Sequence, residues 1–303
     1  MSAEHFWIPI TLWAALAQTL RNAAQRSLTQ TLGTLGATLV RFVYGLPFAA
    51  LWTFGVSRLA DAALPRPSAV FAGWILLGAL AQILATAALL RVMSERNFAL
   101  GVAYSKTEIL QVALFGFAFL GDPVGAPVAL AIACGTAGVL LLAPPVDGHP
   151  LRALARGWTS RTALLGLASG AGFALSAVGY RGAALALRTS APMAAACGLL
   201  VAQALQTLLL GGWLLARTPA VVRGVLRAWR PSLFAGFMGA AASAGWFTAM
   251  ALEPAAHVRT LGLVELGFSA LVSRRVFQER STRREVAGMG LLCAAVLMVT
   301  LFG

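Results

Sequence analysis

Charged residues are scarce in this 303-residue chain. Only 11% of the residues are Asp, Glu, Lys or Arg, whereas 59% are hydrophobic. Soluble globular domains carry about 25% charged and about 45–50% apolar residues. The composition therefore excludes an ordinary soluble domain and predicts an integral membrane protein whose solvent is the lipid bilayer.

Cysteine and histidine are equally rare, with three of each. Cys134, Cys197 and Cys293 lie inside apolar runs without CxxC spacing, so we interpret them as small buried side chains. We expect no metal site and no disulfide. The HExxH and GxSxG motifs and the P-loop are also missing. We therefore expect neither an enzyme nor an ATP-driven pump, and no cofactor.

The chain does contain apolar runs long enough to cross a bilayer as helices that rise about 1.5 Å per residue. They lack the period-two alternation of a membrane β-barrel. Because the residues before the first run include acidic Glu4 but no Lys or Arg, we expect that run to be a retained span and not a signal peptide. The ten predicted spans are Trp7–Arg26, Thr34–Val56, Val70–Met93, Ala99–Phe119, Ala126–Leu142, Ala163–Ala186, Pro192–Ala216, Pro231–Leu252, Ala256–Val276 and Val286–Phe302.

The net charge of +13 resides mostly in arginines at the ends of these spans, which is typical of membrane proteins and does not call for a nucleic-acid partner. The loops after the odd-numbered spans hold Arg21, Arg26, Arg91, Arg96, Arg152, Arg156, Arg161, Arg217, Arg223, Arg227, Arg230, Arg274, Arg275, Arg280, Arg283 and Arg284. The even-numbered loops hold only Arg58, Arg66, Arg181 and Arg188. Positive loops stay cytoplasmic, so this bias predicts periplasmic termini.

The two halves of the chain resemble each other. Glu108 and Glu265 are 157 residues apart, and so are Asp122 and Glu279, which follow the fourth and ninth spans. Each half holds five spans, and an odd number makes the second half enter the membrane upside down. The sequence therefore predicts an all-α membrane protein of two inverted five-helix repeats, residues 1–145 and 146–303, an architecture found in secondary transporters.

These halves carry a family resemblance. Arg41-Phe42 in the second span and Phe119-Leu120-Gly121-Asp122 after the fourth resemble the drug/metabolite transporter superfamily, and within it the ten-helix EamA-type branch. The resemblance implies a ten-helix basket, a central cavity lined by the third, fourth, eighth and ninth helices, transport of small metabolites, and cytoplasmic termini. That orientation conflicts with the arginine bias, which we favour because it is spread over five loops. Where many members have a proline or small residue midway along the fourth helix, this chain has Glu108.

Ionisable side chains lie deep inside the predicted spans. A charged group at mid-membrane is disfavoured by roughly 2.5–3.5 kcal/mol, so it needs a polar partner. Glu108 and Glu265 are interpreted either as a coupling pair that faces a shared cavity and exchanges protons, or as structural partners of Arg41, Lys106 or Arg259. Spacing places Tyr104, Glu108 and Gln111 on one helical face, with Lys106 pointing roughly the other way.

Two further spans have polar stripes. The first span carries Gln18, Arg21, Asn22 and Gln25, and the sixth carries Ser169, Gly172, Ser176 and Tyr180. Lipid would not tolerate the first stripe, so it faces the helix bundle or water, and a cavity wall shared by both stripes is one interpretation. The other is helix-to-helix hydrogen bonding. The candidate binding or coupling residues are Glu108, Glu265, Lys106, Arg41, Tyr104, Gln111, Trp246, Gln18 and Arg259.

Trp246 lies far from either predicted interface, which fits core packing or, alternatively, ligand stacking. Gly166 and Gly170 form a GxxxG pair, which most often marks close helix contact and less often a homodimer interface.

The sequence thus predicts a secondary active transporter of a small polar metabolite, amino-acid-like or zwitterionic, in a bacterial inner membrane and coupled to protons. A facilitator or exporter of cationic compounds and, from another class, a membrane enzyme or sensor are the alternatives.

Overall fold

The computed structural model describes residues 6–59, 64–115, 125–142, 160–252, 258 and 261–302, whose regular structure is α-helical throughout. The helices are α1 (Trp7–Val43), α2 (Leu46–Leu59), α3 (Ala69–Glu95), α4 (Phe98–Ser105), α5 (Thr107–Phe115), α6 (Ala126–Leu142), α7 (Arg161–Ala186), α8 (Ala191–Arg217), α9 (Pro219–Arg227), α10 (Trp229–Leu252), α11 (Val264–Arg275) and α12 (Arg283–Phe302). This confirms the predicted all-α class.

Four helical stretches in the described chain are long and apolar enough to cross a membrane: Trp7–Leu59, Ala69–Glu95, Arg161–Ala186 and Pro192–Arg217. Their outer surfaces expose large apolar side chains. Leu51 is 65% exposed, Leu84 is 70% exposed and Leu208 is 71% exposed. Large apolar side chains exposed in such numbers would be unfavourable in water, and lipid chains remove that penalty. The chain is therefore a helical membrane protein.

Helix α1 contains a sharp bend at Gly33. Its φ of 68° and ψ of 172° belong to a backbone region that is open essentially to glycine alone. The Gln25 side chain donates a hydrogen bond to the Ala37 carbonyl oxygen at 2.9 Å. In a straight helix, residues twelve positions apart would be separated by about 18 Å. The chain therefore reverses at Gly33, and α1 consists of two arms.

The first arm is longer than the sequence predicts. The predicted loop after Arg26 is wrong, because residues 27–32 are helical. The side-chain hydroxyls of Ser27, Thr29 and Thr31 donate to backbone carbonyls three or four residues back, as hydroxyls in membrane helices often do. Residues 10–32 contain no proline or glycine, so nothing in this stretch ends the helix before Gly33.

The fourth predicted span is divided at Lys106, between α4 and α5. Asn97 caps α4, since its Oδ1 accepts the Leu100 N–H at 2.8 Å. At the break, the Ser105 and Thr107 hydroxyls donate to the Val102 and Tyr104 carbonyls. The end of this predicted span, residues 116–119, lies outside the described part of the chain.

The short helix α9 is not among the predicted spans. It is amphipathic: Val225 is buried at 1% exposure, while Leu226 is 57% exposed. Tyr44 of the turn after α1 donates its hydroxyl hydrogen to the Val225 carbonyl at 3.0 Å and holds the helix in place. Two residues after the end of α9 comes Trp229, whose ring centroid lies 5.3 Å from Cζ of the Arg230 guanidinium. This combination is typical of a helix at the membrane surface.

The chain divides into two compact units, each drawn from both sequence halves. Unit 1 comprises Met1–Leu84 and Leu175–Glu265, and unit 2 comprises Ala85–Ala174 and Leu266–Gly303. In unit 1, α1 packs chiefly on α10 and α2 packs on α8. In unit 2, α6 packs chiefly on α12. The predicted repeats concern the correspondence between helices, and they remain a prediction.

Charged side chains join the helix ends of unit 2. Glu95 at the end of α3 forms ion pairs with Arg91 at 2.6 Å and with Arg161 at 3.2 Å. Arg96 pairs with Glu285 of α12 at 3.4 Å. These contacts place the ends of the third, fifth and ninth predicted loops at the same end of unit 2.

Glu279, which the repeat pairs with Asp122, has a structural place at this end. Its Oε2 accepts the Phe98 N–H at 2.9 Å and the Ser273 hydroxyl at 2.8 Å, so it ties the start of α4 to the end of α11. Asp122 lies outside the described residues.

Candidate functional site

The polar stripe on the first arm of α1 faces the protein interior, as predicted. Arg21 is 4% exposed, Asn22 is 3% exposed and Gln25 is 1% exposed. The prediction that counted Arg21 as a loop arginine is wrong, because it lies within α1 and is buried. Buried polar groups must find hydrogen bonds or charge partners, so the stripe marks where unit 1 concentrates its polar interactions.

The first of these interactions is a chain of hydrogen bonds from Glu265 to Trp246. Gln18 donates through Nε2 to Glu265 Oε2 at 2.7 Å. Its Oε1 accepts the indole N–H of Trp246 at 3.1 Å. Glu265 is 1% exposed and lies in the first turn of α11, where the helix dipole favours a negative charge. One glutamine side chain therefore links α1, α10 and α11.

Trp246 is held on two sides. Besides the bond to Gln18, its ring lies so close to Gly262 that a β-carbon there would stand 2.7 Å from Cη2. This contact favours the packing interpretation of Trp246 over ligand stacking.

The second interaction is a pair of arginines, one from each arm of α1. Arg21 and Arg41 both lie beside Gly239 of α10: a β-carbon at that position would stand 3.2 Å from Arg21 Cδ and 3.8 Å from Arg41 Cγ. Arg21 interacts electrostatically with Arg41 and with Glu265. Its Nε and Nη2 both donate to Asn22 Oδ1, at 3.2 Å and 2.8 Å. Two positive charges and one negative charge thus interact electrostatically inside unit 1.

The third interaction joins Tyr180, which belongs to the polar stripe predicted for the sixth span, to two glutamines that sequence reasoning missed. Tyr180 of α7, which interacts electrostatically with Arg41, donates to Gln82 Oε1 of α3 at 2.8 Å. Gln206 of α8 donates through Nε2 to the Tyr180 hydroxyl at 3.0 Å and to Gln82 Oε1 at 2.8 Å. The available signal was the presence of glutamines in mid-span, far from any predicted loop.

We call these residues the unit 1 cluster. It consists of Gln18, Arg21, Asn22, Arg41, Gln82, Tyr180, Gln206, Trp246 and Glu265. Six helices contribute to it. It can bind a charged group through the arginines, accept a proton or a cation at Glu265, and offer neutral hydrogen bonds from the glutamines and Tyr180.

The remaining predicted site residues, apart from one, lie in unit 2. Tyr104 is fully buried, and its ring packs against Gly166. Gln111 donates through Nε2 to the Thr107 hydroxyl at 3.0 Å and to the Leu167 carbonyl at 3.1 Å. Thr107 and Gln111 also border Gly170. The GxxxG pair is therefore covered by α4 and α5 of the same chain, as close helix contact predicts, and a homodimer would need another surface.

Lys106 and Glu108 are partly exposed beside this contact, at the break between α4 and α5. The structure thus assigns Gln18, Arg41, Trp246 and Glu265 to unit 1, and Tyr104, Lys106, Glu108 and Gln111 to unit 2. Arg259 lies outside the described residues. Within the described part of the chain, no group of three His, Cys, Asp or Glu side chains could hold a metal ion.

Comparison with known proteins gives a likeness in fold. No protein-family model and no curated protein matches the chain. A solved structure described as "Crystal structure of protein" superposes with a TM-score of 0.54 at 15% identity, over 97% of this chain and 96% of that one. It is one of 15 solved chains that match. At this identity the likeness shows that the two chains share a fold over nearly their whole lengths.

Proposed function

We propose that this protein is a secondary active transporter that moves a small polar metabolite, amino-acid-like or zwitterionic, across a bacterial inner membrane, coupled to protons. The observation that carries the proposal is the burial of Arg21, Arg41 and Glu265 inside unit 1 of a helical membrane protein. Burying three charges is costly for folding alone, and intramembrane ionisable groups mark substrate and proton pathways in membrane proteins.

The mixed charge of the unit 1 cluster suits the proposed substrate class. A zwitterion presents a carboxylate and an ammonium group, and the cluster contains arginines and a glutamate. A greasy monovalent cation fits less well, because the two arginines would repel it. We further propose ten spans in two inverted five-helix repeats and membership of the drug/metabolite transporter superfamily, in line with the sequence resemblance.

The glutamates carry the coupling in this proposal. Glu265 belongs to the hydrogen-bonded chain with Gln18 and Trp246, which joins three helices. Glu108 lies at the α4–α5 break. We assign proton exchange to Glu108, and substrate affinity or coupling to Glu265.

The test is uptake driven by a pH gradient, together with counterflow, in proteoliposomes that contain the full chain. Glu108→Gln is expected to leave the protein folded, as judged by gel filtration, and to remove the response of transport to the gradient. Glu265→Gln is expected to impair affinity or coupling. Lys106→Ala serves as the comparison, since a structural Lys106 changes transport less. Both glutamate variants are assayed between about pH 6 and 8, because functional acids and bases are poised near neutral pH. Normal transport by both variants across this range would show that the mechanism is wrong.

A further inference from the structure

The arginine pair of the unit 1 cluster has an unusual environment. Arg21 and Arg41 are 4% and 8% exposed, and their side chains share the space next to Gly239. Two guanidinium groups that repel each other in a buried site raise the free energy of the folded protein. An anion bound between them would lower it again.

The residue that orients Arg21 is neutral. Asn22 accepts both the Nε and the Nη2 hydrogens through a single oxygen, at 3.2 Å and 2.8 Å. An aspartate of the same shape could make these contacts and would neutralise the charge. The amide fixes the guanidinium plane and leaves its positive charge in place.

A second observation places a neutral acceptor in the same cluster. Gln206 is fully buried, and in the described part of the chain its Oε1 has no hydrogen-bond partner. Its Nε2 belongs to the network with Gln82 and Tyr180, and Tyr180 interacts electrostatically with Arg41. Buried acceptors without partners are costly, and the donor group of a ligand would satisfy this one.

We propose that Arg21 and Arg41 form a subsite for the carboxylate of the transported metabolite, with Asn22 as its positioning residue. This inference rests on the proposed transport function and narrows its substrate class to compounds with a free carboxylate. Guanidinium groups bind planar carboxylates through paired hydrogen bonds.

The first test compares ligands on the wild-type protein. The purified full chain is heated with each of a panel of free L-amino acids and short-chain carboxylic acids, and with the methyl ester and the primary amide of each. We expect some free acids to raise the melting temperature, and their esters and amides to leave it unchanged. Esters or amides that stabilise as well as the acids, or a panel in which no acid stabilises the protein, would overturn the proposal.

The second test introduces a competing anion. Asn22→Asp keeps the shape of the residue that contacts Arg21 and adds a carboxylate, so it is expected to weaken acid binding by about tenfold or more, the equivalent of one charge-assisted hydrogen bond. Asn97→Asp is the matched control, because position 97 caps α4 in unit 2, where aspartate is an equally good cap. Equal acid binding by Asn22→Asp and wild type would contradict the proposal.

A third variant covers the case in which Asn22→Asp does not fold. Arg21→Lys retains the charge but loses the paired donors, so acids are expected to bind more weakly than to wild type and still better than their amides. Unchanged affinity for acids would contradict the proposed subsite.

Uptake assays separate this inference from the transport proposal. If acids, esters and amides are all carried in response to a pH gradient, transport stands and the carboxylate subsite fails. If only free acids bind and no gradient drives their uptake, the subsite stands and the transport proposal fails.

Discussion

At the scale of single residues, the side chain of Gln18 decides how the unit 1 cluster is joined. It uses its donor on Glu265 and its acceptor on Trp246. If Glu265 took up a proton, its hydroxyl would best donate to the Gln18 oxygen. The amide would then turn its NH2 group towards Trp246, whose indole nitrogen can only donate. Protonation of Glu265 would thus break the hydrogen bond between Gln18 and Trp246, which lies on another helix.

We therefore predict that Trp246→Phe destabilises the protein by on the order of 1–2 kcal/mol, because it leaves the partly buried Gln18 oxygen without its donor. The loss should appear as a lower melting temperature in detergent, measured by the fraction that remains monodisperse on gel filtration. Trp213→Phe is the control, since Trp213 is 52% exposed. Equal melting temperatures for the two variants would show that the Gln18–Trp246 bond contributes nothing.

Much of the unit 1 cluster could be predicted from the sequence. The remaining residues could not, for a physical reason. Glu265, Arg41 and the Gln18 stripe stand out because charge and amide groups are costly in an apolar run. Gln82 and Gln206 did not stand out. A glutamine in a membrane helix is tolerated, and its partners on other helices are known only once the helices have packed.

At the scale of secondary structure, apolar runs predicted the positions of the helices well but not their breaks. The sequence of α1 from residue 27 to 32 is polar, and polarity suggested a loop. Its hydroxyl groups instead bond to the helix backbone, and the chain turns at Gly33. Lys106 breaks the fourth span without proline or glycine, so composition gave no sign of it.

Gly33 leads to a prediction about backbone strain. Gly33→Ala is expected to destabilise the protein by roughly 1–3 kcal/mol, since the φ and ψ of this position are unfavourable for any residue with a β-carbon. Nothing lies within 4 Å of the added methyl group, so the loss would come from the backbone and not from a clash.

Gly55→Ala is the matched control, because position 55 is helical in α2 and equally open. Thermal stability of the two variants, measured side by side, checks the prediction. A Gly33→Ala variant as stable as Gly55→Ala would mean that the bend in α1 does not require a glycine.

At the scale of the whole molecule, the odd-numbered loops still hold far more arginines than the even-numbered loops when Arg21 is no longer counted as a loop residue. The count for the odd-numbered loops falls from 16 to 15, against four for the even ones. In unit 2, ion pairs join the ends of the third, fifth and ninth predicted loops. In unit 1, a β-carbon at Gly36 would stand 3.0 Å from Val221 Cγ1, so the chain after the first predicted span lies beside α9, which follows the seventh. Each unit therefore gathers odd-numbered loops together.

We predict from this bias that both termini are periplasmic. An alkaline phosphatase fused to the C-terminus is expected to be active, because the enzyme requires the oxidising periplasm. A fluorescent protein fused at the same position is expected to be dark. The reverse pair of results would place the termini in the cytoplasm, as the family resemblance implies.

The long-range packing of α1 has a consequence for how the protein is made. The first arm of α1 carries Arg21, which alone disfavours entry into lipid by roughly 2.5–3.5 kcal/mol, and its chief packing partner is α10. α10 begins at Trp229, about 200 residues later, which a ribosome synthesises in roughly 10–40 s. Throughout that interval α10 cannot cover the polar stripe of the first span, so other groups must keep that stripe away from lipid.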